Sequence, residues 1–230
     1  MGEEMKEIKK RASKETIQGF YRLSTCNVSD AMDKLGLPCG IFGIKPMYNC
    51  PKVVGSAMTM HVVPYGANNP VGHMNVDPLA SSQPGDVLVI DNSGRLDQNC
   101  WGEIVTHSAI QAGVAGVVID GACRDVDAVM ETNFPIYARG MVPLTARGRN
   151  VQGDYCCTIQ MAGVQVNPGD VVMADMNGVV FIPVDRAEEV LKVSIELFEA
   201  ETAMVNKIKA GQSFLRVDRE SGYDKALKRN

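Results

Sequence analysis

"DVLVIDNSGRLDQNCWGEIVTHSAIQAGVAGVVIDGACRD", residues 86–125, decides the fold class. DVLVID (86–91) is a short apolar run of the kind buried on both faces of a sheet. QNCWGEIVTHSAIQAG (98–113) then sets Ile104, Val105, Ala109 and Ala112 at helical spacing, with Asn99 as the expected cap and Gly113 as the stop. VAGVVID (114–120) is β-branched and apolar again. Strand, helix and strand in so short a space predict a βαβ unit, with parallel strands and a right-handed crossover.

Such a unit brings the carboxyl ends of both strands and the amino end of the helix to one edge, where open α/β sheets bind ligands. Here the edge collects Trp101, Gly102, Glu103, Ile104 and Val105 from the helix start, and Arg124 and Asp125 from the second strand's exit. Free N–H groups in a first helical turn attract a carboxylate, and Gly102 lets it approach. Arg124 offers a planar fork to a carboxylate or to an oxygen that gains charge. Asp125 and Glu103 are hard oxygen donors suited to Mg²⁺ or Mn²⁺. The set describes a site for a 2-oxo acid, in which a metal and Arg124 stabilise an enolate. From the residues alone, an Arg124–Asp125 pair that only caps a loop stays an open alternative.

Outward from this unit, residues 3–23 read as a charged amphipathic helix. LSTCNVSDAMDKLGL follows as a second helix, capped by Asn27, with Asp30 in its first turn, Gly36 as its stop and Pro38 beyond. VVGSAMTMHVV (53–63) predicts a strand, and residues 64–85 an irregular excursion rich in turn formers. After Arg149 short β segments alternate with glycines, and Asn177-Gly178 marks a hairpin. Residues 185–210 form a long helix with Val190, Leu191, Ile195, Leu197 and Phe198 on its apolar side. The tail from Gly211 is polar and expected to be loose. No linker divides the chain, so residues 1–230 read as one domain: a helical extension to about 23, a core to about 184, then a helix and tail.

The whole chain of 230 residues is 45% hydrophobic and 22% charged, ordinary for a globular protein. A formal net charge of −4 leaves no basic surface for nucleic acid. No apolar run approaches a membrane span, and the charged amino terminus lacks a signal peptide's apolar stretch. The 7 cysteines are odd in number and form no CxxC pair, which predicts reduced thiols in a cytoplasmic protein. Phosphate-loop, dinucleotide, zinc-protease and serine-hydrolase signatures are missing. His61, His73 and His107 are scattered. His107 lies one turn beyond Glu103, but a solvent-facing histidine is the commoner outcome than a ligand.

LSTCNVSDAMDKLG, PGDVLVID, WGEIVTHSAIQAGVAGVVIDGACRD and PGDVVMADMNGVVFIP together resemble the RraA-like family, which includes 4-hydroxy-4-methyl-2-oxoglutarate aldolases and regulators of ribonuclease activity A. The resemblance runs from about Leu23 to Pro183. Its most specific piece is an acid, twenty residues, then Arg-Asp: Glu103, residues 104–123, and Arg124-Asp125. Aspartate is common at the first position in the family, so Glu103 is a mild departure. The resemblance implies an α/β fold, a swivelling β/β/α domain with added N- and C-terminal helices, assembled as a homotrimer or hexamer with the active site between subunits. It implies a divalent-metal-dependent class II pyruvate aldolase that cleaves 4-hydroxy-2-oxo acids to pyruvate and decarboxylates oxaloacetate, both through a pyruvate enolate that the metal stabilises. Carried over position by position, Gly102, Glu103, Ile104 and Val105 hold the substrate, Arg124 contacts it, and Asp125 binds Mg²⁺ or Mn²⁺; Arg124 and Glu103 are the expected catalytic pair. The competing expectation is a non-catalytic, protein-binding regulator of ribonuclease activity. The acid and the Arg-Asp pair, with the extra helices, weigh toward the enzyme.

Overall fold

A computed structural model of the chain describes residues 5–66 and 73–222. Two helices, α1 (Lys14–Phe20) and α2 (Thr25–Lys34), precede the short strand β1 (Lys45–Pro46) and the long strand β2 (Val53–Pro64). Then come α3 (Val76–Ser81), β3 (Val87–Asn99), α4 (Glu103–Gln111), β4 (Gly116–Cys123), α5 (Val126–Glu131) and β5 (Ile136–Met141). Five shorter strands follow: β6 (Asn150–Tyr155), β7 (Ile159–Met161), β8 (Val164–Val166), β9 (Val171–Asp175) and β10 (Gly178–Ile182). A 3₁₀ turn (Val184–Arg186) leads into α6 (Ala187–Lys209), and α7 (Phe214–Ser221) ends the described chain.

The main sheet has the order β1-β5-β4-β3-β2-β9-β10, with β6 also pairing β2. β2, β3, β4 and β5 are parallel neighbours, while β1, β6, β9 and β10 join antiparallel. The fold is therefore mixed α/β, and the expected βαβ unit is β3–α4–β4. Along β3, Leu88 and Ile90 enter the cluster under α4 and α5, while Val87 and Val89 enter the cluster on the opposite face. Both faces are buried, which is why these strands read as unbroken apolar runs. A third cluster holds α2 and α6 against the β9–β10 hairpin, with Val190 and Leu197 buried and Leu191, Ile195 and Phe198 packed beside them.

Several local expectations need correction. Residues 5–13 are not helical, and the helix expected over 3–23 is confined to Lys14–Phe20; residues 3 and 4 lie outside the described chain. Ile8 sits buried, Lys6 pairs with Asp154, and Arg11 Nη2 meets Asp86 Oδ2 at 2.8 Å. A non-helical segment reaches partners that a helix, rising only about 1.5 Å per residue, would draw away from. Ser24, not Asn27, caps α2, and Asn27 closes a capping box by accepting from the Ser24 N–H at 3.0 Å. The 64–85 excursion contains α3, and its residues 67–72 lie outside the described chain. β3 continues to Asn99, so Gly102 rather than Asn99 occupies the cap position of α4. The hairpin turn is Met176-Asn177, with Gly178 (φ 144°) opening β10. The segment after Gly211 folds as α7 with Val217 buried, and residues 223–230 lie outside the described chain.

Candidate functional site

β4 delivers Arg124 and Asp125 at its exit because its eight residues, Gly116–Cys123, are all buried and the chain reaches the surface immediately afterwards. The extension of β3 runs beside that exit. Cys100 N–H donates to the Ala122 carbonyl at 3.2 Å, and Arg124 N–H donates to the Trp101 carbonyl at 3.0 Å. Trp101 anchors the turn: it is 1% exposed, stacks on Phe134 with ring centroids 6.1 Å apart, and donates through Nε1 to Thr106 Oγ1 at 2.8 Å.

The two halves meet at Gly102. A Cβ there would stand 2.6 Å from Asp125 Oδ2 and 3.3 Å from Arg124 Cγ. The backbone is extended at this point (φ −162°), so the need for glycine is steric. The space that a side chain would take is filled by Asp125 and Arg124 themselves.

Asp125 is in the left-handed region (φ 57°) at the start of α5, yet its side chain does not cap that helix. It reaches across to α4, where Oδ2 accepts from the Glu103 N–H at 3.2 Å and lies 3.2 Å from Arg124 Nε. A non-glycine residue held in this region points to surroundings that enforce it. The first N–H groups of a helix have no acceptor within it. With that of Glu103 taken, those of Ile104 and Val105 remain for a ligand, beside the terminal nitrogens of Arg124, which have no partner among the described residues.

The structure thus brings Gly102, Glu103, Ile104, Val105, Arg124 and Asp125 to one edge. The side chains follow the periodicity expected at α4 except at its first turn. Ala109 is buried with Val105 and Ala112 packed against the core as expected, but Ile104 is 64% exposed and Thr106 joins the buried face. Glu103 and His107 are both exposed, and no group of three His, Cys, Asp or Glu able to hold a metal occurs among the described residues. Cys100 and Cys123 lie beside the site as buried thiols; burial pushes both up, Cys123 to about 12, so neither is a ready nucleophile. All seven cysteines are free. Sequence reasoning missed Asn75 and Asn150 and took Asn99 for a helix cap. All three pack around residues 99–101, and only the β3 extension, invisible in the apolar pattern, brings them there.

The model of the RraA-like family, described as Aldolase/RraA, matches residues 25–181. The chain belongs to the RraA-like family. A Halalkalibacterium halodurans protein named "Putative 4-hydroxy-4-methyl-2-oxoglutarate aldolase" is 36% identical over 176 residues, covering 76% of this chain and 80% of that one. Protein DlpA of Legionella pneumophila is 30% identical over 208 residues; the match takes in 90% of this chain but only 34% of DlpA. Among solved structures, an uncharacterized Pseudomonas syringae protein superposes with a TM-score of 0.82 at 29% identity, covering 91% of this RraA-like chain and 99% of that one. Streptomyces coelicolor RraAS2, titled an unusual member of the RNase ES inhibitor RraA protein family, gives a TM-score of 0.76 at 29% identity over 84% and 99% of the two chains.

Proposed function

We propose that this RraA-like protein is a divalent-metal-dependent lyase that cleaves 4-hydroxy-2-oxo acids of the 4-hydroxy-4-methyl-2-oxoglutarate type to pyruvate and decarboxylates oxaloacetate. The observation that carries the reading is the meeting of Asp125 and Arg124 at the start of α4, with Asp125 Oδ2 3.2 Å from both the Glu103 amide and Arg124 Nε. The name of the Halalkalibacterium halodurans relative supports the same chemistry.

Asp125 Oδ1 has no partner among the described residues, and the side chain is about a third exposed, 37%. One open carboxylate oxygen fits Mg²⁺ or Mn²⁺, hard ions that keep several waters, better than a closed cage of protein ligands. Asp125 would hold the ion, which when bound supplies a Lewis acid to the keto group.

The protein's own residues do the rest. The N–H groups of Ile104 and Val105 receive the carboxylate next to the keto carbon. Arg124's terminal nitrogens meet the keto oxygen and bind it more strongly as charge develops. In decarboxylation the C3–C4 bond of oxaloacetate breaks, carbon dioxide leaves, and the electron pair stays in the three-carbon enolate until C3 is protonated. In aldol cleavage the 4-hydroxyl proton leaves as the same bond breaks. Glu103, exposed in the first turn of α4, is assigned that proton transfer. A Schiff-base route has little support, because no lysine occurs between Lys52 and Lys192.

The test is oxaloacetate decarboxylation with Mg²⁺ or Mn²⁺. EDTA abolishes it, and Asp125→Asn removes turnover and tight metal binding while the fold remains. Full activity after exhaustive chelation, or trapping of the protein by borohydride with pyruvate, overturns the reading. The similarity to RraAS2 favours a second reading, a regulator that binds a ribonuclease. In that case Asp125→Asn leaves the regulatory effect untouched. Free cysteines support a cytoplasmic setting, and no helix among the described residues is long and apolar enough to cross a membrane.

A further inference from the structure

Four successive backbone carbonyls ahead of the candidate site each accept from the side-chain amide of a different asparagine. Asn92 Nδ2 donates to the Gln98 carbonyl at 3.1 Å, and Asn150 Nδ2 to the Asn99 carbonyl at 3.0 Å. Asn75 Nδ2 donates to the Cys100 carbonyl at 3.0 Å, and Asn99 Nδ2 to the Trp101 carbonyl at 3.4 Å. The donors come from β3 itself, from β6 and from the residue that starts α3. Asn75 takes up a left-handed conformation there (φ 76°), and its own N–H is held by Gln152 Oε1 at 3.0 Å.

This collar has an unusual defect. The side-chain oxygens of Asn75, Asn99 and Asn150 are buried without a hydrogen-bond partner among the described residues, and the three residues are 1%, 4% and 4% exposed. Turning the amides of Asn75 and Asn150 over would not help, because it would take the donor from the Cys100 and Asn99 carbonyls. Buried acceptors without donors oppose folding, so the collar is not the arrangement that stability alone selects. Such departures concentrate where a backbone must be held for function.

Its position shows what is held. The register of β3 against β4 shifts between Asp91 and Arg95 and again between Arg95 and Asn99, so the ladder is irregular where it reaches residues 98–101, with Asn99 paired to Ala122 at its end. Residues 102–105 follow at once, and the Trp101 carbonyl also accepts the Arg124 N–H at 3.0 Å. The one stretch therefore sets both halves of the site.

We propose that Asn75, Asn99 and Asn150 are positioning residues: they hold backbone 99–101 so that the first amides of α4 and the Arg124 backbone face a common ligand. The consequence for turnover rests on the lyase reading, whereas the effect on the backbone does not.

The test uses the full chain with Asn75→Ala and Asn150→Ala, prepared separately. Trp101 is the single tryptophan, so its fluorescence reports this stretch without substrate. In each variant its emission moves to longer wavelength, acrylamide quenches it more, and the amides of residues 102–105 exchange at least tenfold faster with deuterium. The urea midpoint stays near that of the parent. With oxaloacetate and Mg²⁺, kcat falls at least tenfold while KM rises less than threefold. Unchanged fluorescence and exchange in the folded variants overturn the proposal, whatever the activity. So does a loosened stretch with undiminished kcat, and so does failure of both variants to fold, which makes the collar a stability element. If the parent protein itself has no decarboxylase activity, the lyase reading fails alone and fluorescence and exchange decide the collar.

Discussion

Arg124 and Gly102 show how closely this edge is built at the scale of single residues. Arg124 points its Nε at Asp125 and leaves its terminal nitrogens for a ligand. Lysine keeps the charge and loses the planar fork. If the residue were only a partly exposed ion-pair partner, the change would cost about 0–1 kcal/mol and no turnover. As the group that meets the keto oxygen, Arg124→Lys lowers kcat for oxaloacetate by about 10²–10³, measured at saturating Mg²⁺. Gly102→Ala tests the steric argument. The new methyl group falls 2.6 Å from Asp125 Oδ2 in a backbone conformation any residue adopts. It displaces the carboxylate from the Glu103 amide, so Mg²⁺ affinity and activity drop sharply while stability falls by about 1–3 kcal/mol. Isothermal titration with Mg²⁺ and thermal unfolding check both parts. The identities of these residues, and that they share an edge, were legible in the sequence. That Asp125 fills the space beside Gly102 was not, because side-chain direction depends on the left-handed backbone at residue 125.

At the scale of elements, α2 is latched to the β9–β10 hairpin through one buried carboxylate. Asp175 accepts from the Thr25 N–H at 2.8 Å, from Thr25 Oγ1 at 2.7 Å and from the Asn177 N–H at 2.9 Å. Burial alone would raise its pKa, but the hydrogen bonds from Thr25 and Asn177 outweigh burial and hold it below the ordinary 3.8. A carboxyl group lowered in the folded state contributes stability above its unfolded pKa and loses it as pH falls through the folded value. Asp175→Asn therefore lowers stability at neutral pH by about 1.5–3 kcal/mol, and the loss narrows as the medium is acidified below pH 4. Asp170, raised by burial, acts with the opposite sign in both proteins and cancels from their difference. Urea unfolding of the pair from pH 7 down to pH 3 checks this; a difference that stays constant with pH refutes it. The amino-terminal arm teaches the complementary lesson. Local charge patterning predicted a helix over 3–23, but the pairing of Lys6 with Asp154 and of Arg11 with Asp86, more than seventy residues away, accompanies a non-helical course over 5–13.

For the whole molecule, the carboxyl edge of the parallel strands leaves large apolar side chains uncovered. Ile104, at the start of α4, is 64% exposed, and Met141, at the end of β5, is 61% exposed. Exposed apolar groups beside a candidate site are the expected surface for a second subunit. We expect the homotrimer or hexamer implied by the family resemblance, with this edge covered in the assembly. Light scattering at micromolar concentration should give a mass of three or six chains, and Ile104→Glu should shift it toward the monomer. A strict monomer with intact activity refutes the expectation.

The β3–α4–β4 unit was determined by the sequence alone, because apolar runs buried on both faces and a helical stretch between glycines depend on local periodicity and burial. The edge carrying Glu103, Arg124 and Asp125 follows from that topology, and the hairpin near Asn177-Gly178 follows from turn chemistry. Tertiary structure decided the rest. The β3 extension, the true cap of α4 and the asparagine collar arise where the β3–β4 register becomes irregular and residues 99 and 100 take donors from Asn150 and Asn75. Those donors lie far along the chain, and the polar residues concerned carry no periodic signal. Local propensity is worth a few tenths of a kcal/mol per residue, and where distant hydrogen bonds and ion pairs compete with it they choose the conformation.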